Sequence, residues 1–67
     1  MKKMAKVFIE RENRNINVKA GNVKELLKNL NISKEVVLVV KNGVLVTEEE
    51  DLSDNDKVEL ISVISGG

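Results

Sequence analysis

"AGNVKELLKNLNI", residues 20 to 32, decides the fold, because here the spacing of apolar residues changes from two to between three and four. Val23, Leu26, Leu27 and Leu30 fall at i, i+3, i+4 and i+7, which places all four on one stripe of a helix. Asn22 stands where a side chain can cap the first turn. Glu25, three residues on, is placed to reach back as its capping-box partner. Everything on either side of this stretch reads as strand or turn.

Toward the amino end, "MAKVFIE" (4 to 10) alternates, with Ala5, Val7 and Ile9 on one face and Met4, Lys6 and Phe8 on the other. "RENRN" (11 to 15) interrupts the alternation and "INVK" (16 to 19) resumes it through Ile16 and Val18, which predicts a hairpin. Toward the carboxyl end, "VVLVV" (36 to 40) is too short and too β-branched for a second helix and reads as a strand apolar on both faces. Asn42-Gly43 supplies the positive φ angles of a tight turn into "VLV" (44 to 46). "TEEEDLSDND" (47 to 56) is an acidic connection with Leu52 as its single apolar anchor. "KVELISVI" (57 to 64) then alternates Val58 and Leu60 against Ile61 and Val63 as a last strand. This order predicts an α+β fold in which a mixed sheet of four to five strands packs on one main helix, with a domain over residues 1–63 and a flexible tail over 64–67.

Composition narrows the function. A chain of 67 residues is one small domain, and it has no cysteine for a disulfide or a thiolate metal site. Histidine, tryptophan and tyrosine are absent and Phe8 is the only aromatic residue, which removes most of the usual acid, base and nucleophile partners. A self-contained enzyme is not expected. Nor is a membrane span, since no apolar run approaches 18 residues. The opening "MKKMAKVFIE" lacks the apolar stretch of a signal peptide, so the expectation is a soluble, cytoplasmic protein, monomeric when free. Net charge is zero but uneven, with +6 over residues 1–34 and −6 over residues 35–67, a distribution able to orient a partner.

The stretch "VISGG" (63 to 67) ends a strand-like run on two glycines. Glycine forms about 7% of ordinary chains, so a terminal pair arises by chance roughly once in 200. In their order and spacing, "AGNVKELLKNL", "VVKNGVLV" and "LSDNDKVELISVISGG" resemble the ubiquitin-like β-grasp proteins, and among them the ThiS and MoaD group of sulfur carriers. The resemblance covers almost the whole chain. One departure is Asp54-Asn55-Asp56 where the family writes Asp-Gly-Asp; asparagine tolerates the left-handed conformation such a turn needs.

What the resemblance implies is a carrier without catalytic residues or a resident cofactor or metal. A ubiquitin-activating-type enzyme (ThiF/MoeB-like) would use ATP to adenylate the Gly67 carboxylate, and sulfur would replace AMP to leave a thiocarboxylate. The sulfur would pass to an accepting synthase, a thiazole synthase or a MoaE-like subunit, or to tRNA thiolation. Gly66 and Ser65 would thread the tail into the partner, where the absence of a β-carbon on glycine admits narrow passages. If Val58 and Leu60 face the helix, alternation sends Phe8, Ile61 and Val63 to the uncovered face of the sheet, where an apolar patch would bind the partner. The alternative with the same tail chemistry is a protein modifier joined through Gly67 to target lysines. Metal and nucleic-acid binding have less support. "EEED" (48 to 51) with Asp54 and Asp56 lacks the spacing of a calcium loop, and the basic residues are not interleaved with aromatic platforms.

Overall fold

The computed structural model describes residues 4–63. Strand β1 (Met4–Ile9) turns through a short 3-10 segment (Glu10–Glu12) into β2 (Arg14–Lys19), then come helix α1 (Val23–Leu30), β3 (Val37–Lys41), β4 (Val44–Val46) and β5 (Lys57–Ser62). The five strands form one mixed sheet in the order β2-β1-β5-β3-β4. All pairs are antiparallel except one, in which β1 and the central strand β5 run parallel with Val7 beside Val58 and Ile9 beside Leu60. The expected architecture, an α+β ubiquitin-like β-grasp with four to five strands on one helix, is therefore present with five.

Alternation does what the sequence pattern requires. Ala5, Val7, Val39, Val58 and Leu60 point to the helix side of the sheet and are buried there against Val23, Leu26 and Leu27 of α1. β2 begins at Arg14, two residues before the resumed alternation, because pairing with β1 carries on through Phe8 with Asn15 and Ile9 with Arg14. "VVLVV" is not covered on both sides: Val39 is buried, while Leu38 on the other face stays 45% exposed.

Turns in this chain rely on asparagine. Asn13, Asn31, Asn42 and Asn55 all hold positive φ, with Asn55 at 71° and Asn42 at 52° ahead of Gly43 at 85°. The Asp54-Asn55-Asp56 turn thus takes the left-handed conformation that its sequence departure calls for. Asn31 ends α1 in a Schellman arrangement, in which its N–H donates to the Lys28 carbonyl and the Ile32 N–H to that of Leu27.

An eight-residue helix is marginal by itself, and its start is fastened from three directions. The Asn22 side chain accepts from the Glu25 N–H at 2.8 Å, and the Glu25 carboxylate accepts from Gly21 N–H at 2.7 Å, one residue earlier than the usual capping box. The remaining first-turn donors are met by the acidic connection, since Val23 N–H and Lys24 N–H donate to the carbonyls of Glu50 and Glu48 at 2.9 Å each. Leu52 follows directly and is fully buried. Lys34 and Lys41 hold the same connection from outside through ion pairs to Glu48 (2.5 Å) and Glu50 (2.7 Å).

Two outcomes test this description. Leu52→Ala should cost about 2 to 5 kcal/mol, as for other buried leucines, which is comparable to the whole stability of a small domain. A urea midpoint equal to the parent's would show that Leu52 does not pack under the helix. The second concerns pH. The hydrogen bond from Lys34 holds the Glu48 carboxyl below its ordinary 4.5, and the same bond raises Lys34 above its ordinary 10.5. The pair therefore stabilises the fold between those values; the Glu48 contribution disappears as pH falls below 4.5 through the folded value, and that of Lys34 as pH rises above 10.5. Urea midpoints measured from neutral to acid pH should fall less steeply for Glu48→Gln than for the parent.

Candidate functional site

With α1 covering one face of the sheet, the other face is left open, and its residues follow from register. Across the sheet, one row reads Asn15, Phe8, Glu59, Val40 and Leu45 from β2 to β4. The row nearer the end of β5 pairs Ile61 with Leu38, and the row nearer its start reads Asn17, Lys6 and Lys57. The face is thus graded along the strands, apolar where β5 ends and basic where it begins.

Phe8, Ile61 and Val63 all lie on this open side. Phe8 and Ile61 are half-buried among their neighbours, and Val63 is 48% exposed with its N–H donating to the Val36 carbonyl at 2.9 Å. Ile61 and Val63 belong to one apolar end of the face, whereas Phe8 is separated from them by a strand position and stands beside Glu59. Three further members, Leu38, Val40 and Leu45, complete the patch; Leu45 is 62% exposed. Their signal was in the sequence. If Val39 faces the helix, period two sends Leu38 and Val40 outward, and a two-residue Asn42-Gly43 turn sets Leu45 opposite Val40.

The expected tail residues Ser65, Gly66 and Gly67 lie outside the described residues. What the described part fixes is the point of departure: β5 delivers the chain from Ser62 and Val63 at the apolar end of the open face, beside Leu38 and Ile61. Among the described residues no cluster of side chains could hold a metal ion, and no helix is long and apolar enough to cross a membrane. The described residues of this face thus present apolar side chains, Leu38, Leu45 and Val63 exposed and Val40 and Ile61 half-buried, at the end of the sheet where β5 finishes.

Comparison with known proteins agrees with this geometry. The chain matches the ThiS family over residues 6–67. It is 33% identical over 57 residues to the sulfur carrier protein TtuB of Thermus thermophilus, covering 84% of this chain and 88% of that protein. Among solved structures it is similar to one chain of the complex of subunits 1 and 2 of the molybdopterin-converting factor from Helicobacter pylori 26695, with a TM-score of 0.73 and 25% identity, covering 96% of this chain and 99% of that one. A de novo design based on ubiquitin shares the fold at a TM-score of 0.74 and 21% identity, covering 97% of this chain and 93% of the design. With the β-grasp core, the open apolar face and a family match that runs through Gly66 and Gly67, the chain belongs to the ThiS family, the ThiS/MoaD type of ubiquitin-like sulfur carrier.

Proposed function

We propose that this protein carries sulfur as a thiocarboxylate on Gly67 and is itself a co-substrate of two enzymes. The observation that carries the reading is the family match through residue 67, which includes both tail glycines and starts only at Lys6. The similarity to a Thermus thermophilus sulfur carrier supports it. In the first step the Gly67 carboxylate attacks the α-phosphorus of ATP, pyrophosphate leaves, and an acyl adenylate forms on a ubiquitin-activating-type enzyme. A carboxylate is a poor electrophile, and AMP as leaving group makes it a good one. Sulfur at the sulfide level, as HS−, then attacks the acyl carbon, AMP departs with the electron pair of the broken acyl–phosphate bond, and loss of the sulfur-bound proton leaves the thiocarboxylate. The carrier contributes no acid or base to either step; it contributes a tail able to enter both sites and a face by which each enzyme positions it.

Gly66 and Gly67 suit this use because each permits backbone angles closed to other residues, and because a β-carbon at 67 would stand beside the acyl carbon under attack. The apolar end of the open face, with Ile61, Val63, Leu38 and Leu45, is the surface we assign to docking. The related Helicobacter pylori structure is a complex of two subunits, and a comparable pairing with a sulfur-accepting synthase is proposed for this chain. The accepted sulfur would enter thiazole formation for thiamin, molybdopterin formation or tRNA thiolation.

The decisive experiment is ATP-dependent pyrophosphate exchange with the adenylating enzyme of the same organism, for three tail lengths. The unchanged protein should support exchange. Removing Gly67 should abolish it, since Gly66 would present its carboxylate about 3.5 Å short of the phosphorus, and even 1 Å of displacement can cost about a hundredfold in rate. Adding one residue should abolish it too, since Gly67 then has no free carboxylate. Equal exchange by all three overturns the reading. Lysine-linked conjugates without any thiocarboxylate, seen by intact mass, would favour a protein modifier instead. On the docking face, Ile61→Asp should leave the urea midpoint near the parent's while weakening binding to the adenylating enzyme, as expected when a desolvated apolar contact is lost. A variant that unfolds, or that binds at full strength, would remove Ile61 from that surface.

A further inference from the structure

One peptide link in this chain is chemically unlike the rest. Of all the asparagines only Asn42 is followed by glycine; the others precede arginine, isoleucine, valine, leucine or aspartate. A side chain after asparagine crowds the next backbone nitrogen, which is the nucleophile within reach of the asparagine amide carbon. Glycine leaves that nitrogen bare. Asn42 and Gly43 are both exposed, and nothing lies within 4 Å of where a β-carbon on Gly43 would stand, so solvent reaches the link freely.

A clasp to the start of β5 restrains this asparagine. Its Nδ2 donates to Asp56 Oδ1 at 3.0 Å, its Oδ1 accepts from the Lys57 N–H at 2.9 Å, and its own N–H donates to the Lys57 carbonyl at 2.7 Å. Asp56 is fixed in turn, because its other oxygen accepts from the Ser53 N–H at 2.7 Å. Both polar atoms of the Asn42 amide are thus engaged and aimed at β5. To close a ring onto the nitrogen of residue 43, the side chain has to leave both partners and swing toward its own backbone.

We infer that Asn42 is a site of spontaneous deamidation, restrained in the folded chain by its hydrogen bonds to Asp56 and Lys57. The Gly43 nitrogen, its proton taken by hydroxide, attacks Cγ of Asn42. The N–Cγ bond forms, the Cγ–Nδ2 bond breaks, and Nδ2 takes a proton from water and leaves as ammonia. Water then adds to either carbonyl of the resulting succinimide and opens the ring to aspartate or isoaspartate, with no change of oxidation state. Aspartate puts a second carboxylate where an amide donor faced Asp56, and two like charges so close repel. Isoaspartate adds a carbon to the backbone of the two-residue turn that sets Leu45 opposite Val40, and strand register depends on loop length. Either product undoes the junction between the β3–β4 hairpin and β5.

The test follows every asparagine by peptide mass spectrometry in the full chain held at mildly alkaline pH, folded and in urea. Conversion should concentrate at Asn42 and run at least about tenfold slower in the folded chain, the ratio that one hydrogen bond to a charged group sustains. In urea, Gly43→Ala should slow it, because the methyl group crowds the attacking nitrogen; an unchanged rate overturns attack by that nitrogen. In the folded chain, Asp56→Ala should raise the rate toward the urea value, with circular dichroism showing that the sheet remains. Should that variant unfold, Asp56→Asn, which removes the charge but keeps the volume and one acceptor oxygen, makes the same comparison. Converted protein should have a lower urea midpoint than the parent, and an equal one overturns the damage assigned to the products. Equal rates in the folded and unfolded parent, or a folded Asp56 variant that converts no faster than the parent, overturn the restraint. Faster conversion at another asparagine overturns the assignment to Asn42.

Discussion

The parallel pairing of β1 with β5 is the constraint on which the rest of the molecule depends. It joins the two ends of the chain at the centre of the sheet, so β2 on one side and β3 with β4 on the other have something to add to. Parallel strands need a long crossover between them, and here everything from β2 to the acidic connection is that crossover. Because β5 runs alongside β1, it ends at Ser62 on the side of the sheet where Leu38 pairs with Ile61, at the opposite end of the strand from the Asp54–Asp56 turn.

The acidic connection gives the helix its place. Only two turns long, α1 needs tertiary partners for the N–H groups of its first turn. The carbonyls of Glu48 and Glu50 supply them, while Leu52 enters the core immediately afterwards. Negative side chains near a helix start are favourable to its dipole as well, so the acidity of residues 47–51 serves packing before any binding. A metal site was a weaker reading of the same run, and the backbone geometry gives the run a structural use of its own. In consequence the helix is held on one face of the sheet only and the other face remains open, graded from basic to apolar along β5.

Much of this was legible from residues. The helix stripe at Val23, Leu26, Leu27 and Leu30, the Asn42-Gly43 turn and Leu52 as an anchor each carry a local signal, and each stands where that signal puts it. The candidate site was legible in part. Period two in β5 was enough to turn Ile61 and Val63 outward, and the Asn42-Gly43 turn to set Leu45 opposite Val40, but these two groups form one patch only through pairing of β3 with β5, which strand-by-strand reading does not supply. Glu25 reaching Gly21 instead of Asn22 is of the same kind, since a one-residue shift within a cap depends on how the preceding backbone enters the helix.

The sequence by itself determined the helix and the strands on either side of it, the inward faces of β1, α1 and β5, the left-handed turns at Asn42 and Asn55 and the two glycines of the tail. These are properties of short segments, where side-chain period, β-branching and allowed backbone angles act within a few residues. Only the tertiary structure decided that Lys6 meets Lys57, that Leu38 meets Ile61 and that backbone carbonyls from residues 48 and 50 cap a helix beginning at residue 23. Those contacts join residues as many as 51 positions apart, and sequence neighbours carry no information about them. They arise because burying one apolar face of every strand on a single helix leaves one register in which all five strands and the connection fit together.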